Sequence, residues 1–328
     1  MKKIFKTTFA VLILLVSVRC NNTRMAPYKM KIGVQTWSFR TMEDQSPLAI
    51  LSYVKKSGVQ YVELMGNHAE PFAGAPKNPM SDTTYRPILY KRYRKEVLTE
   101  EEQVLAAAFD QKMAAFRKDK AAWYKTVDYS LFDSLKNLYA AEGIKIFAFK
   151  PRVFGKENSD AAIRYGMQAA LALGADHVTL EHPEDDAHTQ RLASLAEEVG
   201  IDVAYHGHEQ QTPVLWDTAI TQSKRNKMNL DFGHYIAAEN ENAVNFIAEK
   251  GAFMASMHLK DRQKKSNGGG NLAWGQGDTP IGDVVRMIAK NKYEFPVTIE
   301  VEYDMPEGSD PVAEVKKCKA YIEKALSN

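Results

Sequence analysis

Four stretches in the second half of the chain share one pattern, an apolar run that ends on a potential metal ligand. They extend from Asp202 to His206, Met228 to Asp231, Phe253 to His258 and Pro296 to Glu300. If each run is a strand and the strands lie parallel, a polar side chain stands at the same end of every one. A closed parallel barrel gathers those ends at one mouth and can build a metal site there.

From Met30 onward, strand-like runs alternate with helical patterns. The strands read as Ile32 to Thr36, Tyr61 to Leu64, Lys145 to Phe149, His177 to Leu180, Asp202 to Tyr205, Met228 to Leu230, Phe253 to Met257 and Val297 to Ile299. Amphipathic stretches lie between them, among them Ser159 to Leu173, Ala187 to Val199, Ile281 to Ala289 and Pro311 to Leu326, with apolar residues three and four apart. Eight such units predict a (β/α)8 TIM barrel over residues 31–326. No Gly-x-Gly-x-x-Gly follows the first strand, which sets aside an open dinucleotide-binding sheet. Gly58, Gly143, Gly174 and Gly200 precede strands and support the register.

The spacing is uneven between the second and third strands, where residues 67–129 form a long helical insertion. It holds a loop rich in proline and glycine, then a charged, alanine-rich helical stretch from Thr99 to Lys120 with Thr99 as its start signal. Because the insertion follows a strand, it leaves from the mouth of the barrel. Long loops in compact domains tend to be functional, so a lid over the site is expected. A peripheral hairpin, or a contact in a homodimer, is the alternative.

The chain has 328 residues, 45% of them hydrophobic and 26% charged, with a net charge of +2. That balance gives ample material for a large core. It argues against a nucleic-acid partner, and the basic cluster from Lys91 to Lys95 reads as a solvated helix face. At the N-terminus, Lys2, Lys3 and Lys6 precede an apolar run from Thr8 to Val18 that is short for a bilayer span. Residues 1–20 therefore read as a signal peptide and residues 21–30 as a linker. The run ends at Cys20, followed by Asn21 and Asn22, which resembles the lipobox of bacterial lipoproteins, although Arg19 stands where a small residue is usual. That resemblance implies lipidation at Cys20, a place in the cell envelope, lipid-anchored or periplasmic, and membrane contact only through the anchor. Cys318, the other cysteine, lies on a helical pattern and reads as a buried thiol.

His206, Asp231, His258 and Glu300 are a mixed imidazole and carboxylate set, the kind that suits one divalent cation such as Mn, Co, Zn or Mg. Lys260 follows His258 by two positions, so an extended backbone points both to one side. Lys150 and Arg152 follow the third strand, Glu63 ends the second and Trp37 and Phe39 follow the first. Trp37 and Phe39 read either as a flat wall for a sugar ring or as core aromatics.

The segments Tyr205 to His208, Leu230 to His234, Met257 to Asp261, Gly275 to Gly282 and Ile299 to Glu302 carry a resemblance to the xylose isomerase-like barrel superfamily. The chain is similar to its sugar phosphate isomerase/epimerase group, also called AP endonuclease 2-like, from Lys31 to about Ala325. In such epimerases a Glu, an Asp, a His and a second Glu bind one cation, and the outer carboxylates often act as acid and base. Carried over by position, Asp231, His258 and Glu300 match, while the first Glu falls on His206. Glu181, ending the preceding strand, reads as a replacement ligand or as the general base. Lys260 and Lys150 are candidates to stabilise developing negative charge, and Glu63, His208, His234, Arg152 and Trp37 to bind substrate. The resemblance implies proton abstraction next to the carbonyl of a small sugar or keto-glycoside. Isomerase or epimerase chemistry is one outcome, and β-elimination by a 3-keto-glycoside lyase or inosose dehydratase is another. A non-catalytic sugar-binding lipoprotein is the reading outside enzymes.

Overall fold

The computed structural model describes residues 28–327, so Cys20 and the targeting segment lie outside the described residues. Strands β1 (Ile32–Gln35), β2 (Tyr61–Met65), β3 (Lys145–Lys150), β4 (His177–Glu181), β5 (Asp202–His206), β6 (Asn226–Asp231) and β7 (Met254–Leu259) run in sequence. After a two-stranded hairpin of β8 (Asp261–Arg262) and β9 (Asn271–Leu272) comes β10 (Val297–Ile299). β1 to β7 and β10 close a parallel eight-stranded barrel, in ring order β1, β10, β7, β6, β5, β4, β3, β2. In that order β10 and β4 face each other across the barrel, four strands apart either way.

Around the barrel lie α1 (Pro47–Ser57), α2 (Gly66–Ala69), α3 (Arg86–Tyr93), α4 (Glu100–Trp123), α5 (Tyr129–Ala141), α6 (Asp160–Ala172), α7 (Asp186–Val199), α8 (Asp217–Gln222), α9 (Phe232–Ala237), α10 (Ala243–Lys250), α11 (Ile281–Asn291) and α12 (Pro311–Ser327). Their ends carry local signals. Ser46 caps α1 by accepting from Ala49 N, and Gly58 ends it at φ 72°, a left-handed backbone that glycine adopts without strain. α7 starts on Asp185, whose carboxylate accepts from Ala187 N.

The barrel shell buries its apolar residues completely at Val34, Leu64, Phe149, Val178, Val203, Leu230, Met257 and Ile299. The interior is polar instead: Glu63, His177, His206, Asn229, Ser256 and His258 are all buried. Each needs a partner inside the barrel, because a buried polar group without one costs about 1–3 kcal/mol.

Between β2 and β3 the chain forms α2, α3 and α4 before α5 returns it to the barrel wall. Thr99 caps α4 in a reciprocal box with Glu102. At the other end of α4, Lys120 Nζ lies 2.7 Å from Glu70 Oε2 and sits 4.4 Å from the centre of the Trp123 ring. Tyr165 on α6 bonds the other oxygen of Glu70 at 3.0 Å. This helical excursion is therefore fastened to the barrel at its base. Among the described residues it lends no side chain to the cavity at the barrel mouth, whose wall holds only Met65 from this part of the chain.

Seven strands have boundaries that differ from the sequence reading by one or two residues, and the eighth, Val297 to Ile299, matches β10. Thr36 opens a 3-10 turn, Thr36–Phe39, instead of ending β1, and Phe253 belongs to a 3-10 turn ahead of β7. His258 consequently lies inside β7, while Glu181, His206 and Asp231 are the last residues of their strands.

Candidate active site

Register brings the four ligand-type residues together. Asp231 pairs with His258 between β6 and β7, and Glu181 pairs with His206 between β4 and β5. His206, Asp231 and His258 each offer an atom within 4.8 Å of the others. His258 Nδ1 stands 3.9 Å from Asp231 Oδ2 and 3.3 Å from Glu300 Oε2, and His206 Nε2 stands 3.9 Å from Asp231 Oδ2. Asp231 Oδ2, His258 Nδ1 and Glu300 Oε2 are buried, and no hydrogen bond satisfies any of them. Such converging atoms, with His258 giving up its Nδ1 proton to an arriving ion, are what a cation ligand set requires. The donors fit a divalent ion.

Each imidazole is anchored at its other nitrogen. Glu63 reaches across the barrel to His258 Nε2 at 2.6 Å, leaving Nδ1 for the site. His206 Nδ1 is bonded to Asn229 Oδ1 at 2.7 Å, leaving Nε2. The two rings therefore turn opposite nitrogens to one point. Glu63 thus supports His258 from beneath. It is fully buried and does not reach the cavity, so it lies away from the substrate position read from the sequence.

Lys260 stands among three carboxylates, 3.0 Å from Asp231 Oδ2, 2.8 Å from Glu300 Oε2 and 2.5 Å from Glu302 Oε2. Only the contact with Glu302 has the alignment of a hydrogen bond, so its link to the other two is electrostatic. Gly233 makes room for this side chain, since a Cβ there would come 2.3 Å from Lys260 Cγ.

The charges follow from these contacts. Burial would lower His258, but Glu63 and Glu300 outweigh it and raise its pKa to about 10. Burial would raise Glu300, yet Lys260 and His258 hold it well below the usual carboxylate range. Asp231 is raised by its burial, against the pull of Lys260. His206 is held well below its ordinary value by burial and by the cations Lys150 and His258, so its ring is neutral.

Above this cluster opens a cavity of about 730 Å³. Glu300, Glu302 and Trp37 line one side, Lys150, Arg152 and Glu181 the other, with His206 and His208 along the wall. Trp37 Nε1 donates to Glu302 Oε1 at 3.1 Å, which orients that carboxylate. Glu181 lies 2.9 Å from Lys150 Nζ and 3.1 Å from His208 Nδ1. Burial works against its ionisation, but the bond from His208 and the charge of Lys150 keep Glu181 below its ordinary pKa. A second group of potential ligands, Glu181, His206 and His208, shares His206 with the first.

Other residues singled out in the sequence fall elsewhere. His234 sits beneath the wall, its backbone amide bonded to Asp231 Oδ1 at 2.8 Å and its Nδ1 2.5 Å from Arg262 Nη1. It does not line the cavity. Phe39 is fully buried against Tyr53 and forms no sugar-facing wall. Two features of the site escaped the sequence reading. Glu302 was signalled by its position two residues beyond Glu300, which an extended segment turns to the same side. Asn229 carried no local sign, because only strand register reveals its partner.

A parallel eight-stranded barrel with a His, Asp and Glu cluster at the carboxyl ends of its strands defines a class in which chemistry is done at that mouth. The chain belongs to the xylose isomerase-like TIM barrel family, whose profile matches residues 102–321. No curated protein matches it in sequence. Among solved structures, a sugar phosphate isomerase/epimerase from Parabacteroides distasonis superposes with a TM-score of 0.55 at 14% identity, covering 91% of this chain and 97% of that one. The 3-keto-D-glucoside 4-epimerase of E. coli gives 0.57 at 12% identity over 90% and 100% of the two chains. D-psicose 3-epimerase of Clostridium cellulolyticum, solved with D-tagatose, gives 0.56 at 13% over 90% and 99%. At such identities the likeness is one of fold.

Proposed function

We propose that the protein is a metal-dependent sugar isomerase or epimerase that moves a proton next to a sugar carbonyl. One observation carries the reading. Two carboxylates outside the proposed ligand set, Glu181 and Glu302, line the cavity from β4 and from just beyond β10, strands on opposite sides of the barrel.

In this reading His206 Nε2, Asp231 Oδ2, His258 Nδ1 and Glu300 Oε2 hold one divalent cation. Two nitrogens and two oxygens suit Mn, Co or Zn better than Mg, which favours an all-oxygen shell. The bound cation supplies polarisation of the sugar carbonyl, which lowers the barrier to removing the neighbouring proton. Glu181, ionised and held between Lys150 and His208, takes that proton. Glu302, protonated from solvent through the cavity it lines, returns one from the opposite side, with Lys260 beside it to offset negative charge. Glu181 gives its proton back to solvent to complete the turnover. Trp37 packs on the sugar ring, and Arg152 and His208 bind its hydroxyls. An export signal over residues 1–20, with lipidation at Cys20, would put this chemistry in the cell envelope, where free sugars and keto-glycosides are the accessible substrates.

The test is proton exchange. A panel of ketoses and 3-keto-glycosides is incubated in D2O with the Mn-loaded protein and followed by NMR. Deuterium should enter next to the carbonyl and an isomer should accumulate. Glu181→Gln should slow exchange about 10²–10⁴-fold, while Glu302→Gln should block the isomer more than the exchange. An unsaturated product would turn the reading to β-elimination. Saturable sugar binding without exchange would turn it to a sugar-binding protein.

A further inference from the structure

A row of buried hydrogen bonds extends sideways from the site into the barrel floor. His206 Nδ1 meets Asn229 Oδ1 at 2.7 Å, Asn229 Nδ2 donates to Ser256 Oγ at 2.6 Å, and Ser256 Oγ lies 3.0 Å from His177 Nε2. Strand register places the first three in line, since His206 pairs with Asn229 and Asn229 with Ser256. His177 reaches them from β4 across the interior. All four are buried, with His177 and His206 2% exposed and Asn229 and Ser256 0%. None of these hydrogen bonds competes with bulk water.

We propose that His177, Ser256 and Asn229 are positioning residues that fix the tautomer of His206 so that Nε2 presents its lone pair to the proposed cation site. Two arrangements run the bonds in one direction from end to end. In the first, Ser256 gives its hydroxyl proton to His177 Nε2 and its oxygen accepts from Asn229 Nδ2. The Asn229 oxygen then faces His206, and an amide oxygen only accepts, so His206 Nδ1 carries the hydrogen. In the reverse order, His177 Nε2 donates to Ser256, the amide of Asn229 is turned over, and His206 carries its hydrogen on Nε2. That hydrogen would point towards Asp231 Oδ2, 3.9 Å away and beyond hydrogen-bond reach. The reverse order puts a hydrogen where a cation needs a lone pair, whereas the first leaves Nε2 bare on the cavity wall. The orientation of the Asn229 amide, held by Ser256 and backed by His177, is what sets the hydrogen on His206 Nδ1.

The chain of bonds stands on geometry alone, and only its consequence for affinity rests on the metal reading. Two measurements on the full protein separate them. In ¹⁵N-histidine NMR of the metal-free protein, His206 should show a protonated Nδ1 and a bare Nε2, and Asn229→Leu should shift it towards the other tautomer. By calorimetry with Co(II) alone, Asn229→Leu should bind about 10–100-fold more weakly, the usual effect of losing a ligand's support. Asn229→Asp keeps the acceptor for His206 and should stay closer to the parent, and Ser256→Ala should fall between. If Asn229→Leu fails to fold, Ser256→Ala and Asn229→Asp carry the same comparison. A parent His206 protonated on Nε2 overturns the proposal, as does unchanged Co(II) affinity in both Asn229→Leu and Ser256→Ala. A parent with the expected tautomer and no affinity for Co(II) would refute the metal reading and leave the bond chain standing.

Discussion

At the scale of single residues, the two histidines of the site are set by what lies behind them. His258 is held by a carboxylate and His206 by an amide, and that difference is chemical. Glu63 places a negative charge on Nε2 of His258, which makes Nδ1 a stronger donor than an imidazole held by a neutral partner. Glu63→Gln keeps the shape but removes the charge, so Mn(II) or Co(II) affinity should fall about 10–100-fold by calorimetry. Unchanged affinity would mean that Glu63 only fills space. Glu63 also shows where reading by position stops. An acid near the end of a predicted strand looks like a substrate contact, yet the pleat turns this one into the barrel, where it is 0% exposed. The same limit hid Asn229, Ser256 and His177, whose partners stand on other strands. Glu302 was hidden differently, its local signal being overshadowed by Glu300.

At the scale of elements, the apolar runs that end on polar residues were legible because a strand's period and its terminal residue are both local. The role of the segment between β2 and β3 was not local. Its caps were readable, and Thr99 and Glu102 form the box that their spacing predicts. Its direction is set by the buried pair of Lys120 and Glu70 and by the rings of Trp123 and Tyr165, contacts that spacing does not encode. Thr99→Ala should therefore cost about 1 kcal/mol of local helix stability. Hydrogen exchange should quicken in the first turns of α4, while cation affinity at the mouth stays unchanged. A marked loss of cation affinity would instead tie this helix to the site. The glycine-rich stretch after β9 also gains a physical reason. Asp261 Oδ2 gathers the amides of Gly275, Gln276 and Gly277 at 2.7, 3.1 and 3.0 Å. A side chain at Gly277 would collide with that carboxylate, its Cβ lying 2.3 Å from Asp261 Oδ1.

At the scale of the whole molecule, buried histidines make stability depend on pH. Burial lowers the pKa of His68 from 6.5 to about 4, and of His177, against weaker opposing carboxylates, to about 4 as well. The unfolded chain takes up these protons below about pH 6.5 and the folded chain resists them. The stability is therefore complete above that pH and is lost as the pH falls from 6.5 towards 4, by a few kcal/mol at most for each group. Urea unfolding between pH 7 and 4.5 should show the decline, and His68→Gln should flatten it. A flat profile in the parent would contradict the buried, neutral state of both rings.

The central claim is that His206, Asp231, His258 and Glu300 hold one divalent cation. Calorimetric titration of the metal-free protein with Mn(II) and Co(II), beside an Asp231→Ala, His258→Ala double variant, tests it most directly. One equivalent bound by the parent and none by the variant is the predicted result. A parent that binds neither ion, or a variant that binds as tightly as the parent, would contradict it.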